Sequence, residues 1–74
     1  MNYKEQYYRD IPLRLINRNY TGYKAKRYLI NNTNQNVWIP NCYLLEDGTI
    51  KEGANLDFIF NSRQGKRKLE LAKG

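Results

Sequence analysis

Residues 23–40 decide the fold, because two segments with β-strand patterning flank a run of turn-forming residues. They read Tyr23-Lys24-Ala25-Lys26-Arg27-Tyr28-Leu29-Ile30, then Asn31-Asn32-Thr33-Asn34-Gln35-Asn36, then Val37-Trp38-Ile39-Pro40. With a side-chain period of two, one face of the first segment carries Tyr23, Ala25 and Leu29, and the other carries Lys24, Lys26 and Tyr28. We therefore predict a strand whose lysine and tyrosine face points to solvent.

The middle six residues predict a hairpin turn, since asparagine tolerates the left-handed backbone that tight turns need. Val37-Trp38-Ile39 is then the partner strand, which ends at Pro40. Trp38 lies on the face opposite Val37 and Ile39, so one set or the other points inward. We favour a partly buried core position for Trp38 because its apolar surface is large, whereas an outward Trp38 would be a binding anchor.

The segments around this hairpin also favour strands and turns. Ile11, Leu13 and Leu15 alternate with other residues and predict another strand. Residues 19–22 have the composition of a turn. Asp47-Gly48 between apolar residues predicts a second hairpin.

The C-terminal part is ambiguous between strand and helix. Residues 55–60 fit an alternating strand or a short helix with Asn55 as its N-cap, and we favour the helix. Gly65 should interrupt the chain, and residues 68–71 alternate as a closing strand would. The predicted fold class is therefore mainly β: a small curled antiparallel sheet or barrel of four to five short strands, with at most one short helix.

The 74 residues form one domain, 1–74, in which residues 1–10 are a loose arm or a short helical turn. Cys42 is the single cysteine, so the chain has no internal disulfide, unlike most secreted chains of this size. There is no signal-like or membrane-length apolar run. The lone cysteine favours a reducing, intracellular setting, so we expect a cytoplasmic protein of a bacterial host cell. The richness in Asn, Lys, Tyr and Ile is what AT-rich codons produce, which indicates a low-GC bacterium or its phage.

The net charge of +6 is unevenly distributed. Residues 1–30 contain seven bases and two acids, residues 31–60 one base and four acids, and residues 61–74 five bases and one acid. Such polarity favours a polyanionic partner or an acidic protein surface, although a basic surface also serves solubility.

Catalysis is not expected, because the sequence lacks the residue types that it needs. There is no histidine to act as general base or metal ligand, and the lone Cys42 has no histidine partner. No phosphate-binding or dinucleotide-binding glycine motif occurs. We predict a non-enzymatic chain with no metal and no cofactor.

Tyrosines and bases are interleaved in the first thirty residues, as they are in sites for single-stranded nucleic acid. The candidate contacts for nucleic acid or a partner protein are Arg14, Lys24, Lys26, Arg27, Tyr28, Arg63, Lys66, Arg67 and Lys68. The candidate aromatic anchors are Tyr20, Tyr23 and Trp38. The alternatives are that the tyrosines pack within the sheet, or that they belong to a protein interface.

Residues 24–40 resemble a pattern found in small β-domain proteins of phages and mobile elements. Those proteins carry Lys-Ala, an aliphatic run, a turn, and Val-Trp-Ile-Pro followed by Lys-Ser; here Asn41-Cys42 stands in place of Lys-Ser. The resemblance implies the hairpin and a phage-like origin, and it implies no particular activity.

Three functions are consistent with the sequence. The first is a binding module that contacts single- or double-stranded nucleic acid through a Lys/Arg/Tyr surface. The second is a small phage protein that inhibits a host enzyme or defence complex, in the manner of anti-CRISPR proteins, by binding an acidic host protein. The third is a homo-oligomer that sequesters a nucleotide signal. None of them involves a membrane.

Overall fold

The computed structural model describes residues 5–73. In it the chain forms a four-stranded antiparallel sheet with helices on one side. The strands are β1 (Glu5–Tyr8), β2 (Ile11–Leu15), β3 (Ala25–Ile30) and β4 (Asn36–Pro40), in the spatial order β1-β2-β3-β4. A 3-10 turn (Asn41–Tyr43) and the helices α1 (Asp57–Phe60) and α2 (Arg63–Leu71) follow. The prediction of a small, mainly β domain is confirmed; the sheet is open, with β1 and β4 at its edges, rather than closed into a barrel.

A two-residue turn joins β1 to β2, and the sequence did not reveal it. Arg9 and Asp10 both have positive φ, 47° and 69°, as the two central residues of the tightest hairpin turns do. Residues 5–8 are therefore an edge strand, and the prediction of a loose arm or helical turn is wrong for them. Residues 9–10 of that prediction form the hairpin turn, and residues 1–4 lie outside the described residues.

The two predicted hairpin turns are confirmed. Asn31 and Asn32 adopt the left-handed conformation, with φ of 52° and 56°, between β3 and β4. Gly48 has φ +88° in the second hairpin, where the N–H of Leu45 donates to the carbonyl of Thr49 at 2.7 Å. Local turn chemistry alone therefore located both chain reversals.

The core lies on one side of the sheet, which we call the inner face. Its fully buried side chains come from β2, β3, β4 and the segment before α1: Leu13, Tyr28, Ile30, Ile39 and Leu56. The predicted orientation of β3 is wrong, because Tyr28 and Ile30 point inward while Ala25, Arg27 and Leu29 occupy the opposite, outer face. Pairing with β2 explains this orientation: Leu13 lies opposite Ile30, and Leu15 lies opposite Tyr28.

Residues 68–71 belong to α2, so the predicted closing strand there is wrong. The Ser62 hydroxyl caps α2 by accepting from the N–H of Gly65 at 3.0 Å. Gly65 does not interrupt the chain; it lies in the first turn of α2, against the backbone of α1. The preferred helix after Gly53 is confirmed as α1. Its N-cap residue is Leu56 and not Asn55 as predicted, but the side chain of Asn55 still accepts from the N–H of Asp57.

Candidate functional site

The outer face of the sheet is not covered by a second layer of the described chain, and it carries Arg27 and Trp38 side by side. The two residues lie directly opposite each other on β3 and β4. Backbone hydrogen bonds join Ile30 to Gln35 and Asn41 to Lys24 at the two ends of this strand pair. Because hydrogen-bonded and non-hydrogen-bonded pairs alternate, Arg27 and Trp38 form a non-hydrogen-bonded pair, in which the side chains approach closely. The Arg27 guanidinium lies 5.9 Å from the centre of the Trp38 ring.

Trp38 is 39% exposed, and its neighbours Val37 and Ile39 are buried. The core position that we favoured for Trp38 is therefore wrong, and the alternative, an outward-facing aromatic side chain, is what the structure shows. The reason is that β4 can bury only one of its two faces, and two β-branched side chains occupy that face.

The loop between β2 and β3 folds back over the outer face and is fixed there by Tyr20. The Tyr20 hydroxyl donates to the carbonyl of Ile16 at 2.7 Å and accepts from the N–H of Arg27 at 3.3 Å. The predicted turn at residues 19–22 is confirmed, since the N–H of Tyr23 donates to the carbonyl of Tyr20 at 2.9 Å and Gly22 has φ +84°. This turn places Tyr23 beside Trp38.

Three aromatic rings and two guanidinium groups thus meet at one end of the outer face. We call this set the aromatic–arginine patch; it consists of Arg18, Tyr20, Tyr23, Arg27 and Trp38. The rings of Tyr23 and Trp38 are parallel to within 2°, with centroids 5.9 Å apart, and Tyr20 meets both edge-on. Arg18 lies 5.2 Å from the Tyr23 ring centre and donates to its hydroxyl at 3.1 Å.

The patch is cationic, and no carboxylate from residues 5–73 pairs with it. Within residues 5–73, ion pairs join Arg9 to Asp57 at 3.0 Å and Arg14 to Glu5 at 3.7 Å, and neither Arg18 nor Arg27 takes part in one. The Nε–H groups of Arg14 and Arg27 are buried and lack an acceptor. A buried donor without an acceptor costs free energy. Binding of an anion that moves either guanidinium toward solvent and accepts from its Nε–H would therefore be favoured.

Arg14 extends this surface along the sheet. It lies opposite Leu29 on the outer face, so it is a diagonal neighbour of Arg27, at about 7–8 Å. A depression of about 330 Å³ lies beside it, lined by Leu15, Ile16, Asn17 and Leu29 as well as Arg14.

The predicted contacts on β3 are separated by the sheet. Tyr28 is 0% exposed and its hydroxyl donates to the carbonyl of Gly48, so its predicted contact with a partner is wrong. Burial raises the pKa of the Tyr28 phenol well above its ordinary value, with smaller contributions from Tyr20 and Asp47. Lys26 also points inward, where its amine lies 3.4 Å from the side-chain oxygen of Asn41, and only Arg27 joins the patch.

The predicted C-terminal contacts form a second basic surface on α2. Arg63, Lys66 and Arg67 are exposed and line a groove of about 580 Å³ with Asn61 and Glu70, whereas Lys68 is half-buried. We call Arg63, Lys66 and Arg67 the α2 basic face. It lies away from the patch, so the two groups of predicted residues do not build one site.

Sequence reasoning missed Arg18 as a contact. The predicted turn at residues 19–22 could have indicated Arg18, because a chain reversal between Arg18 and Tyr23 brings the two side chains together.

Residues 5–73 show neither a metal site nor a membrane-spanning helix. That part of the chain contains no cluster of metal-ligating side chains. None of its helices has the length and apolar character to cross a bilayer. Cys42, which carries the lone thiol, is exposed on the 3-10 turn.

Comparisons of the chain with protein-family models, curated proteins and solved structures find no match. The function therefore has to be argued from the chemistry of the site.

Proposed function

We propose that this domain is a non-catalytic module that binds single-stranded nucleic acid on the outer face of its sheet. The observation that carries the proposal is the exposed, parallel pair of Tyr23 and Trp38, flanked by the guanidinium groups of Arg18 and Arg27. Aromatic faces accept stacked bases, and arginines hold the phosphates that connect those bases.

An unpaired strand fits this surface better than a duplex does. In a duplex the base faces are stacked on one another, and only base edges and phosphates are presented to a protein. Tyr23 and Trp38 are 46% and 39% exposed, so part of each ring is accessible to unstacked bases. The arginines then add attraction for the phosphates and cation–π contacts at little cost in sequence specificity.

The same residue types also occur at the centres of protein interfaces, where Trp, Tyr and Arg contribute most of the binding energy. Binding to an acidic host protein, as in the inhibitor hypothesis, is therefore the outcome to which a negative nucleic-acid result would point.

Trp38 makes the test direct, because it is the only tryptophan of the chain and lies in the patch. We would titrate the protein with single-stranded and duplex DNA and RNA of equal length, and follow Trp38 fluorescence together with the anisotropy of labelled strands. We expect single strands to quench Trp38 and to bind more tightly than duplexes at the same salt concentration.

Two variants and their matched controls locate the site. Trp38→Ala should weaken binding of single strands by about 1–3 kcal/mol, the value of one stacked base, whereas Phe58→Ala removes an exposed ring away from the patch and should leave affinity unchanged. Arg27→Gln should reduce the slope of log K against log salt by about 0.7, and Lys51→Gln should not. Equal losses in each pair, or equal affinity for duplex, would refute the proposal.

A further inference from the structure

The two basic surfaces lie on opposite sides of the domain. The aromatic–arginine patch occupies the outer face of the sheet, while α2 packs against α1 at Gly65 and joins the core on the inner face through Leu69 and Ala72. The exposed residues of the α2 basic face therefore point away from the sheet. No single extended strand can lie flat on both surfaces at once.

The charges at the start of α2 oppose the stability of the helix, whereas Lys68 in its last turn favours it. An N-terminal turn favours carboxylates because the helix dipole is positive there, but the first turn of α2 contains no acidic residue and begins with Arg63. Lys66 and Arg67 follow on the same side at spacings of three and four residues, where like charges repel. Within residues 5–73 none of these three cations forms an ion pair.

Charge that works against its own helix indicates a role outside folding. A phosphate chain along the groove between the end of α1 and α2 would relieve the repulsion among Arg63, Lys66 and Arg67 and would satisfy the positive end of the helix. Among the described residues that line this groove, Glu70 alone is negatively charged.

We propose that the α2 basic face is a second, purely electrostatic nucleic-acid site, and that the domain joins two strand segments, one on each side. This inference rests on the proposed function of the patch. The two sites differ in kind: the patch holds bases and phosphates, and the α2 basic face holds phosphates alone.

The test measures whether one protein holds two strands. Two non-complementary pyrimidine strands, one labelled with a donor and one with an acceptor, are mixed with the protein at substoichiometric concentration. We expect energy transfer with the wild type. Lys66→Gln/Arg67→Gln should abolish it while Trp38 quenching by a single strand, measured separately, changes by less than about threefold.

The control variant is Lys51→Glu, which lowers the net charge by the same two units at an exposed position outside both surfaces. It should retain the energy transfer. Circular dichroism confirms that both variants are folded, and sedimentation of the free protein shows whether it is a monomer.

The outcomes separate the two proposals. If no single strand quenches Trp38, the proposed function itself fails. If Trp38 is quenched but the wild type gives no energy transfer, or Lys66→Gln/Arg67→Gln transfers as well as the wild type, the patch site stands and the second site is refuted. Energy transfer that arises only from a self-associated form of the free protein would refute it as well.

Discussion

Gly65→Ala should destabilise the domain, although helix propensity alone predicts the reverse. A Cβ atom at position 65 would collide with the carbonyl oxygen of Ile59 and lie 2.9 Å from the Cα of Phe60. Both obstacles are backbone atoms, so no side-chain rotation can remove the clash. α1 and α2 would have to move apart, and Phe60, which is 3% exposed, would lose part of its packing.

Two opposing terms set the magnitude. Alanine is favoured over glycine within a helix by about 1 kcal/mol. Overpacking of a close contact costs about 1–3 kcal/mol, and the backbone collision places Gly65→Ala at the upper end of that range. The difference is a loss of roughly 2 kcal/mol, which lowers the melting temperature of a domain this small by about 8–16 °C.

The assay is urea denaturation and thermal melting followed by circular dichroism, with Gln64→Ala as the control. Gln64 is the neighbouring residue of the same helix and is exposed, so its substitution should change stability by less than about 0.5 kcal/mol. If Gly65→Ala were as stable as the wild type or more stable, the close approach of α1 and α2 would be refuted, and with it the orientation of the α2 basic face.

Two further predictions concern buried tyrosine hydroxyls. Tyr8→Phe removes the acceptor of the buried N–H of Leu56, at 2.8 Å, and should cost about 1–3 kcal/mol in urea denaturation; an equal loss in Tyr7→Phe, at an exposed position, would contradict this. Tyr28→Phe should alter unfolding at alkaline pH, because burial raises the pKa of the Tyr28 phenol in the folded state. The contribution of Tyr28 to the free energy of unfolding is therefore complete below the ordinary phenol pKa of about 10 and is lost as the pH rises above it. The stability of the variant should therefore decline less steeply above about pH 10 than that of the wild type, and parallel declines would show that Tyr28 is not the titrating group.

The sequence predicted the features that depend on neighbouring residues. The turns at Asn31-Asn32 and Asp47-Gly48 follow from backbone preferences of those residue types, so no knowledge of the remaining chain was needed. The helix after Gly53 was also local, since the side chain of Asn55 accepts from the N–H of Asp57 at its start. The turn at Arg9-Asp10 was missed because arginine seldom adopts positive φ, and only the pairing of β1 with β2 accounts for it.

The errors arose where a second element decides the outcome. Within β3 alone, the lysine face looked like the solvent face, but pairing with Leu13 and Leu15 of β2 turns Tyr28 inward. Residues 68–71 alternate as a strand does, yet Leu69 also continues a helical spacing that begins at Gly65. We treated that glycine as a chain breaker, whereas its missing side chain is what allows α2 to pack against α1.

The candidate site follows from the same alternation that builds the core. Each strand has two faces, and the helices cover only the inner one, so the residues between core positions are left on an open surface. On most antiparallel sheets such a face carries small polar and charged side chains, but here it carries stacked aromatic rings and an arginine whose Nε–H has no acceptor. The rings stabilise one another by stacking, but they still leave apolar surface in water, and the buried donor is desolvated without a partner. Local choices that oppose stability are expected where a ligand compensates for them, and a strand that offers bases to the rings and phosphates to the arginines meets both needs at once.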